Sequence, residues 1–265
     1  MHWLPSLFIF LVVFFCYIHV IRQRYVSRDT NLLEIGLTDR SSIDDIMHYR
    51  VPVKSSMSSI GLVTPNVLLD LDSIDLSRSS VLRIDASGHM VDESSANAAA
   101  HSFMLSPSIE GDTGNFVREI NSYFSPYSCV SSSYEILATK KSDMTTRVIS
   151  FTGSREIVFC LKGQSTVTMA IPDSEVQPTD VLRDNRTNTS YLSTTLREPI
   201  SVGLTEGGMS LVPSQWVHTI ELTPDSIVLI ARYRCFTNTI ANCTELSEDL
   251  WQRYKPKDPN QKCFQ

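Results

Sequence analysis

The sequence predicts a mainly β fold, a jelly-roll or related double-sheet barrel with flanking helices, carried on an N-terminal transmembrane helix. Three observations predict it. From Tyr134 onward the chain breaks into eight short apolar or alternating segments, SYEILATK, TTRVISFT, REIVFCLKG, STVTMAIP, REPISVGL, GMSLVP, WVHTIEL and SIVLIARYRC, with Gly, Pro, Asp and Lys between them. Segments of that length and punctuation are strands, and eight of them fill two packed sheets. Leu4–Ile21 is apolar and carries no formal charge except on His19 when that residue is protonated. Finally, Gly207-Gly208-Met209-Ser210-Leu211-Val212-Pro213-Ser214-Gln215-Trp216-Val217-His218 runs from a Gly turn through a short strand to Pro, Trp and His. A small barrel brings one imidazole to its interior in this way.

Leu4–Ile21 reads LPSLFIFLVVFFCYIHVI, about 18 residues, long enough for one membrane-spanning helix, with Trp3 and Tyr17 at interfacial positions. A cleaved signal peptide would want basic residues before the run and a small-x-small site after it. Here Arg22, Arg24 and Arg28 follow it and no such site is present, so residues 1–22 are expected to remain as an anchor. By the positive-inside rule those arginines hold the following domain in the cytoplasm. Three glycosylation sequons, Asn185-Arg186-Thr187, Asn188-Thr189-Ser190 and Asn242-Cys243-Thr244, point the other way.

Residues 23–40 read as a stalk, and 41–130 as an N-terminal α/β extension of the barrel domain. Within the extension, Ser42 is expected to cap a helix over Ile43–Tyr49, with Asp45 in its first turn. Val51-Pro52-Val53 reads as an extended edge, because Pro cannot join a central ladder. Residues 56–80 read as loop and isolated strand, and Asn115–Phe124 as a second helix opened by Asp112 or Thr113. The barrel is expected over 131–237, with Thr166–Ile171 alternating cleanly as a half-buried strand does. The polar insert Asp173–Asn188 reads as a surface loop. Residues 238–265 are expected to form a terminal helix, with Ile240, Leu246, Leu250 and Trp251 at helical spacing, and a tail.

Composition narrows the function. With 265 residues, 42% hydrophobic and 20% charged, the chain can bury a sizeable core. A net charge of −6 argues against a nucleic-acid partner, and Lys255–Lys257 reads as a solvated tail. The six cysteines, Cys16, Cys129, Cys160, Cys235, Cys243 and Cys263, show no CxxC or CxxH spacing, so no structural zinc site is expected. They are read as free thiols, with a disulfide among Cys129, Cys243 and Cys263 left open. No P-loop, nucleophile elbow, zincin helix or triad motif is present.

Taken together, Arg155–Pro172 and Gly207–Tyr233 resemble the cupin-like and jumonji (JmjC-type) barrel family. REIVFCLKGQSTVTMAIP is similar to the family's strand-Gly-strand hairpin ending in Pro. GGMSLVPSQWVHTIEL resembles its second motif, in which Pro and Trp precede a metal-binding His, and SIVLIARYR resembles the closing strand. The anchor, the Arg147–Arg155 stretch and the closing Arg-Tyr-Arg also resemble membrane-anchored cupin-like proteins of large DNA viruses. The resemblance implies a double-stranded β-helix. In active members it implies Fe(II) and 2-oxoglutarate, held by a His-x-Asp before the hairpin and a His after it.

Several positions depart from that pattern. Ser150-Phe151-Thr152 stands where His-x-Asp is expected, and hydroxyls are poor Fe(II) ligands. The 2-oxoglutarate Lys position falls near Gln164-Ser165, with Lys162 on the turn. Of the family's ligands only His218 is kept, read either as a metal ligand or as a hydrogen-bonded core histidine. No catalytic residue is assigned. Arg147, Ser150, Thr152, Arg155, Trp216 and Arg232 are candidates to line a cavity. Arg232 and Arg234 share a strand face, read as solvated in preference to an anion-binding interior. His89 and His101, with Asp85, Asp92 or Glu93, form a weaker candidate metal cluster.

The reading is therefore a single-pass membrane protein of a host-cell or virion membrane, bound to the bilayer through residues 4–21. Its barrel acts non-catalytically, as a structural or interaction protein with an unidentified protein or small-ligand partner and no cofactor. Two alternatives remain: an Fe(II)/2-oxoglutarate-dependent oxygenase with atypical ligands, and a sensor holding an anion near Arg147, Arg155 or His218.

Overall fold

The computed structural model describes residues 3–37, 39–69, 81–84, 90–91, 100–105, 111–139, 143–172, 181–184 and 189–241. The chain begins as helix α1 (Trp3–Arg24) and straightens into a strap that holds the short strand β1 (Leu33–Glu34). Helix α2 (Arg40–Tyr49) starts one turn earlier than expected. Its cap is Asp39, not Ser42, and the Asp39 carboxylate accepts the Ser42 amide at 2.8 Å. That bond is the main reason the Asp39 carboxyl sits below its ordinary pKa. Strand β2 (Val53–Ser56) follows, then a 3-10 turn (Met57–Ile60) and helix α3 (Asn66–Leu69).

Further along come β3 (Val81–Ile84), β4 (Met90–Val91), β5 (Ala100–Leu105) and helix α4 (Asp112–Phe124). The barrel strands begin with β6 (Cys129–Thr139), β7 (Met144–Thr145), β8 (Val148–Ser150), β9 (Arg155–Lys162) and β10 (Gln164–Ala170). The remaining elements are β11 (Val181–Asp184), β12 (Thr189–Leu192), β13 (Ile200–Thr205), β14 (Gly208–Val212), β15 (Val217–Leu222), β16 (Ile227–Cys235) and helix α5 (Phe236–Ala241).

Two sheets form. One runs β1-β2-β14-β9-β16-β6-β5-β3-β4, the other β11-β12-β8-β15-β10-β13, with β7 on β15. Within them the quartets β14-β9-β16-β6 and β8-β15-β10-β13 have the strand order of a jelly-roll, a double-stranded β-helix. These eight are the eight segments expected from sequence. The insert expected to be loop is partly sheet, because β11 pairs with β12 in four register steps from Val181↔Leu192 to Asp184↔Thr189. The N-terminal extension is continuous with the barrel: β2 pairs with β14 and β5 with β6.

Alternation along the strands divides the core in two. On β16, Ile227, Leu229, Ala231 and Tyr233 face helix α4 through Phe116, Val117, Ile120 and Phe124. Val228 and Ile230 face the barrel interior with Val158, Cys160, Val167, Met169 and Ile220. A strand buried on both faces reads as an unbroken apolar run, as IVLIA does here. At the β9–β10 turn Gly163 takes a φ of 75°, where a Cβ would run into the Ser226 side chain and approach its Cα to 3.0 Å.

On α1, Phe8, Ile9, Phe10, Val13 and Phe15 stand more than half exposed. Helix α5 packs against α1. Among the described residues no helix is long and apolar enough to cross a membrane, so the expected transmembrane helix is not shown here. Helix α5 covers only the first residues, 238–241, of the expected C-terminal helix. Its continuation through Leu246, Leu250 and Trp251 lies outside the described residues.

Candidate functional site

His218, Glu135, Glu156 and Arg232 share the barrel interior at the end where β9 begins and β16 finishes. On β15 His218 lies opposite Met169 of β10 and Ile149 of β8. Arg232 is opposite Glu156 of β9, and Ile230 is opposite Glu135 of β6. All four have the strand parity of the interior apolar residues, so the alternation that builds the core also turns them inward. Each is essentially without solvent: His218 0%, Glu135 0%, Arg232 1% and Glu156 3%.

The guanidinium is the hub. Arg232 Nε donates to Glu156 Oε1 at 2.7 Å and Nη1 to Glu135 Oε2 at 2.6 Å. The Ser102 hydroxyl closes on the other Glu135 oxygen. His218 Nε2 is 3.6 Å from Glu156 Oε1, beyond a hydrogen bond, and neither imidazole nitrogen has a hydrogen-bond partner among the described atoms. Burial pulls the His218 pKa below its ordinary value. Glu156 opposes that and Arg232 adds to it. Burial also works against the charge on Arg232, but Glu156 and Glu135 more than reverse it and hold the guanidinium ionised.

The sequence candidates scatter around this lattice. Trp216 is buried, packs in the barrel interior and donates Nε1 to the Ser27 carbonyl at 3.0 Å. Val26 and Leu32 pack against the same cluster, so the strap after α1 covers this end of the barrel. Ser150 is half-buried on β8, opposite Val217 and Ser190. Thr152 is half-buried, and its carbonyl accepts from Asn238 at 2.7 Å. Arg147 is half-buried just before β8.

Two expectations need correcting. Arg155 does not line the barrel: it points to the other core, donating to the Phe124 carbonyl at 2.9 Å and to Asp44 at 2.6 Å. Arg232 is not on a solvated face but at the centre of the interior lattice, while Arg234 is half-buried with its guanidinium 5.5 Å from the Phe151 ring. Lys162 sits at the far turn, donating to the Leu69 carbonyl at 3.4 Å. His101 stacks at 6.0 Å on Phe103 in β5. His89, Asp85, Asp92 and Glu93 lie outside the described residues, as do Asn185, Asn188, Asn242, Cys243, Cys263 and Lys255–Lys257.

Sequence reasoning missed Glu135 and Glu156. Their signal is a lone carboxylate in step with interior apolar residues, Glu135 with Leu137, and Glu156 with Val158 and Cys160.

The donor set does not suit Fe(II). His218 has one carboxylate beside it, and that carboxylate is held by a guanidinium whose charge would repel a dication. Among the described residues no three His, Cys, Asp or Glu side chains converge to hold a metal. The interior is packed by Met169 and Trp216, whereas Phe159 belongs to the other core. Two surface grooves of about 490 and 480 Å³ lie at the β13–β14 turn and beside the β9–β10 hairpin, and neither touches His218.

No known family profile and no curated protein matches the chain. Among solved structures it is similar to ycfD of E. coli, at 12% identity and a TM-score of 0.47, over 80% of this chain and 58% of that one. It is also similar to the coconut allergen cocosin, at 12% identity and a TM-score of 0.29, over 52% of this chain and 26% of that one. The chain thus spans less than two thirds of either. Similarities this slight carry neither a family nor an activity to it, and the jelly-roll assignment stands on its own strand order.

Proposed function

We propose that this chain is a membrane-anchored, cupin-like jelly-roll domain that acts by binding, as a structural or interaction protein, and not by catalysis. The observation that carries this reading is the Arg232 guanidinium bonded between Glu156 and Glu135 beside His218. It puts a fixed cation where an oxygenase of this architecture would need open metal positions. Ser150 and Thr152, in place of a His-x-Asp, support the same conclusion. In this reading the anchor is the apolar run 4–21 on α1, whose side chains stand exposed even though the helix is not long and apolar enough to cross a membrane. Arg22, Arg24 and Arg28 favour a cytoplasmic domain. The viral relation rests on sequence resemblance alone.

The test uses the full chain in detergent, supplied with Fe(II), 2-oxoglutarate and oxygen. Succinate formation at background, together with resistance of the membrane-bound chain to alkaline carbonate extraction, is expected. Metal-dependent succinate formation would overturn the non-catalytic reading, and release by carbonate would overturn the anchor. One observation favours the oxygenase alternative, the Glu156 carboxylate 3.6 Å from His218. That route requires Glu156 to leave Arg232.

A further inference from the structure

Cys129 opens β6, Cys235 closes β16, and the two are partners in the antiparallel ladder. The Phe236 amide donates to the Ser128 carbonyl at 3.1 Å, while the Cys129 amide turns away to the Pro126 carbonyl at 3.0 Å. Those bonds identify Cys129 and Cys235 as a non-hydrogen-bonded pair, the ladder site where Cα atoms approach to about 4.5 Å and facing side chains lie closest. A disulfide asks for Cα atoms roughly 4.4–6.8 Å apart. The spacing typical of that pair type falls within this range, and opposed residues share a face.

Both thiols are free and only weakly engaged. Cys129 Sγ lies 3.4 Å from the Ser131 carbonyl, and Cys235 Sγ 3.3 Å from Thr237 Oγ1. Cys129 is partly exposed and Cys235 is 3% exposed. The register slips between Arg234 and Cys235, leaving Val130 as the extra residue of a bulge, and Val130 is exposed. An oxidant in solution therefore has a way in at Cys129 first.

We propose that Cys129 and Cys235 form a redox-dependent cross-strand disulfide, a modification site that staples the first barrel strand to the last. With a small-molecule disulfide such as oxidised glutathione, the Cys129 thiolate attacks one glutathione sulfur. The glutathione S–S bond breaks, and the departing thiolate takes up the Cys129 proton from solvent. The Cys235 thiolate then attacks Cys129 Sγ and expels the second glutathione, which takes up the other proton. Two protein thiols are oxidised to one disulfide, and one glutathione disulfide is reduced to two thiols. The staple would sit at the root of α5, the helix that packs against α1, and so would fix the barrel's closure at its junction with the N-terminal helix.

The test is thiol mapping on the full chain in detergent micelles. The protein is equilibrated with reduced or oxidised glutathione, then denatured, alkylated, digested and analysed by mass spectrometry. After oxidation the expected result is loss of alkylation at Cys129 and Cys235 together, and a joined peptide containing both. Cys16 and Cys160 stay alkylated, dithiothreitol reverses the change, and the thermal midpoint falls on reduction. Cys129→Ser and Cys235→Ser should each abolish the joined peptide. Unchanged alkylation of both thiols, or Cys129 joined to Cys243 or Cys263, would overturn the proposal. Mapping the unsubstituted chain keeps the test valid even where a serine variant folds poorly.

Discussion

Replacing Arg232 by Met removes the cation that is bonded to both buried carboxylates. In the folded chain the guanidinium lies 2.7 Å from Glu156 and 2.6 Å from Glu135, and all three side chains are almost fully buried. Removing one partner of a buried pair costs about 3–5 kcal/mol, because the charge left behind has lost both water and its counterion. Here two charges are stranded, with the Ser102 hydroxyl as the remaining side-chain donor to Glu135, so the upper half of that range is expected. For a domain of this size each kcal/mol shifts the thermal midpoint by about 2–4 °C, so Arg232→Met should lower it by roughly 10 °C or more. The triple variant R232M/E135L/E156M, which removes the whole lattice, should recover most of the loss. Urea unfolding of the wild type and both variants at pH 7 measures all of this. A loss under about 1 kcal/mol for Arg232→Met, the range of exposed ion pairs, would refute the buried lattice.

Other outcomes follow from the same geometry. His218 is buried with a lowered pKa and faces Glu156 and Arg232. Below its ordinary value of 6.5 the unfolded chain therefore takes up a proton that the folded chain refuses. Stability should fall as pH drops through that value, by up to about 1.4 kcal/mol per pH unit for this one group, with no contribution above it. His218→Leu should flatten the pH dependence of the unfolding free energy from urea titrations between pH 7 and pH 5 by up to that amount, and an unchanged slope would contradict the assignment. Trp216→Phe removes the bond to the Ser27 carbonyl, so it should cost about 1–2 kcal/mol and speed limited proteolysis in the strap; equal cleavage rates would count against the strap as a cover. Gly163→Ala combines a left-handed backbone with a clash against Ser226, and a loss of about 2 kcal/mol is expected in urea unfolding.

Sequence pattern located the eight barrel strands because their alternation and punctuation are strong. It missed the strands built from Ser-rich or polar segments. Ala100–Leu105 and Val181–Asp184 become strands by pairing with β6 and β12, a tertiary outcome that local pattern does not register. Arg232 was misplaced for a physical reason. On a strand buried on both faces, Arg-Tyr-Arg alternation looks like a polar face, and only its carboxylate partners, 76 and 97 positions away in sequence, show that it points inward. His218 was legible through the Gly-Pro-Trp-His order, but its neighbour Glu156 was not, since a lone Glu after Arg155 reads as a strand end. The same limit hid the contact between Trp216 and Ser27, residues 189 apart in sequence.

On the proposed reading, Arg232 and its carboxylates stand in place of a metal centre in this barrel. Elemental analysis of the full chain in detergent, after anaerobic loading with Fe(II) or Mn(II) and desalting, tests it most directly. No more metal is expected on the wild-type protein than on His218→Ala. About one metal ion per chain, lost on His218→Ala, would contradict it and make the oxygenase reading the one to pursue.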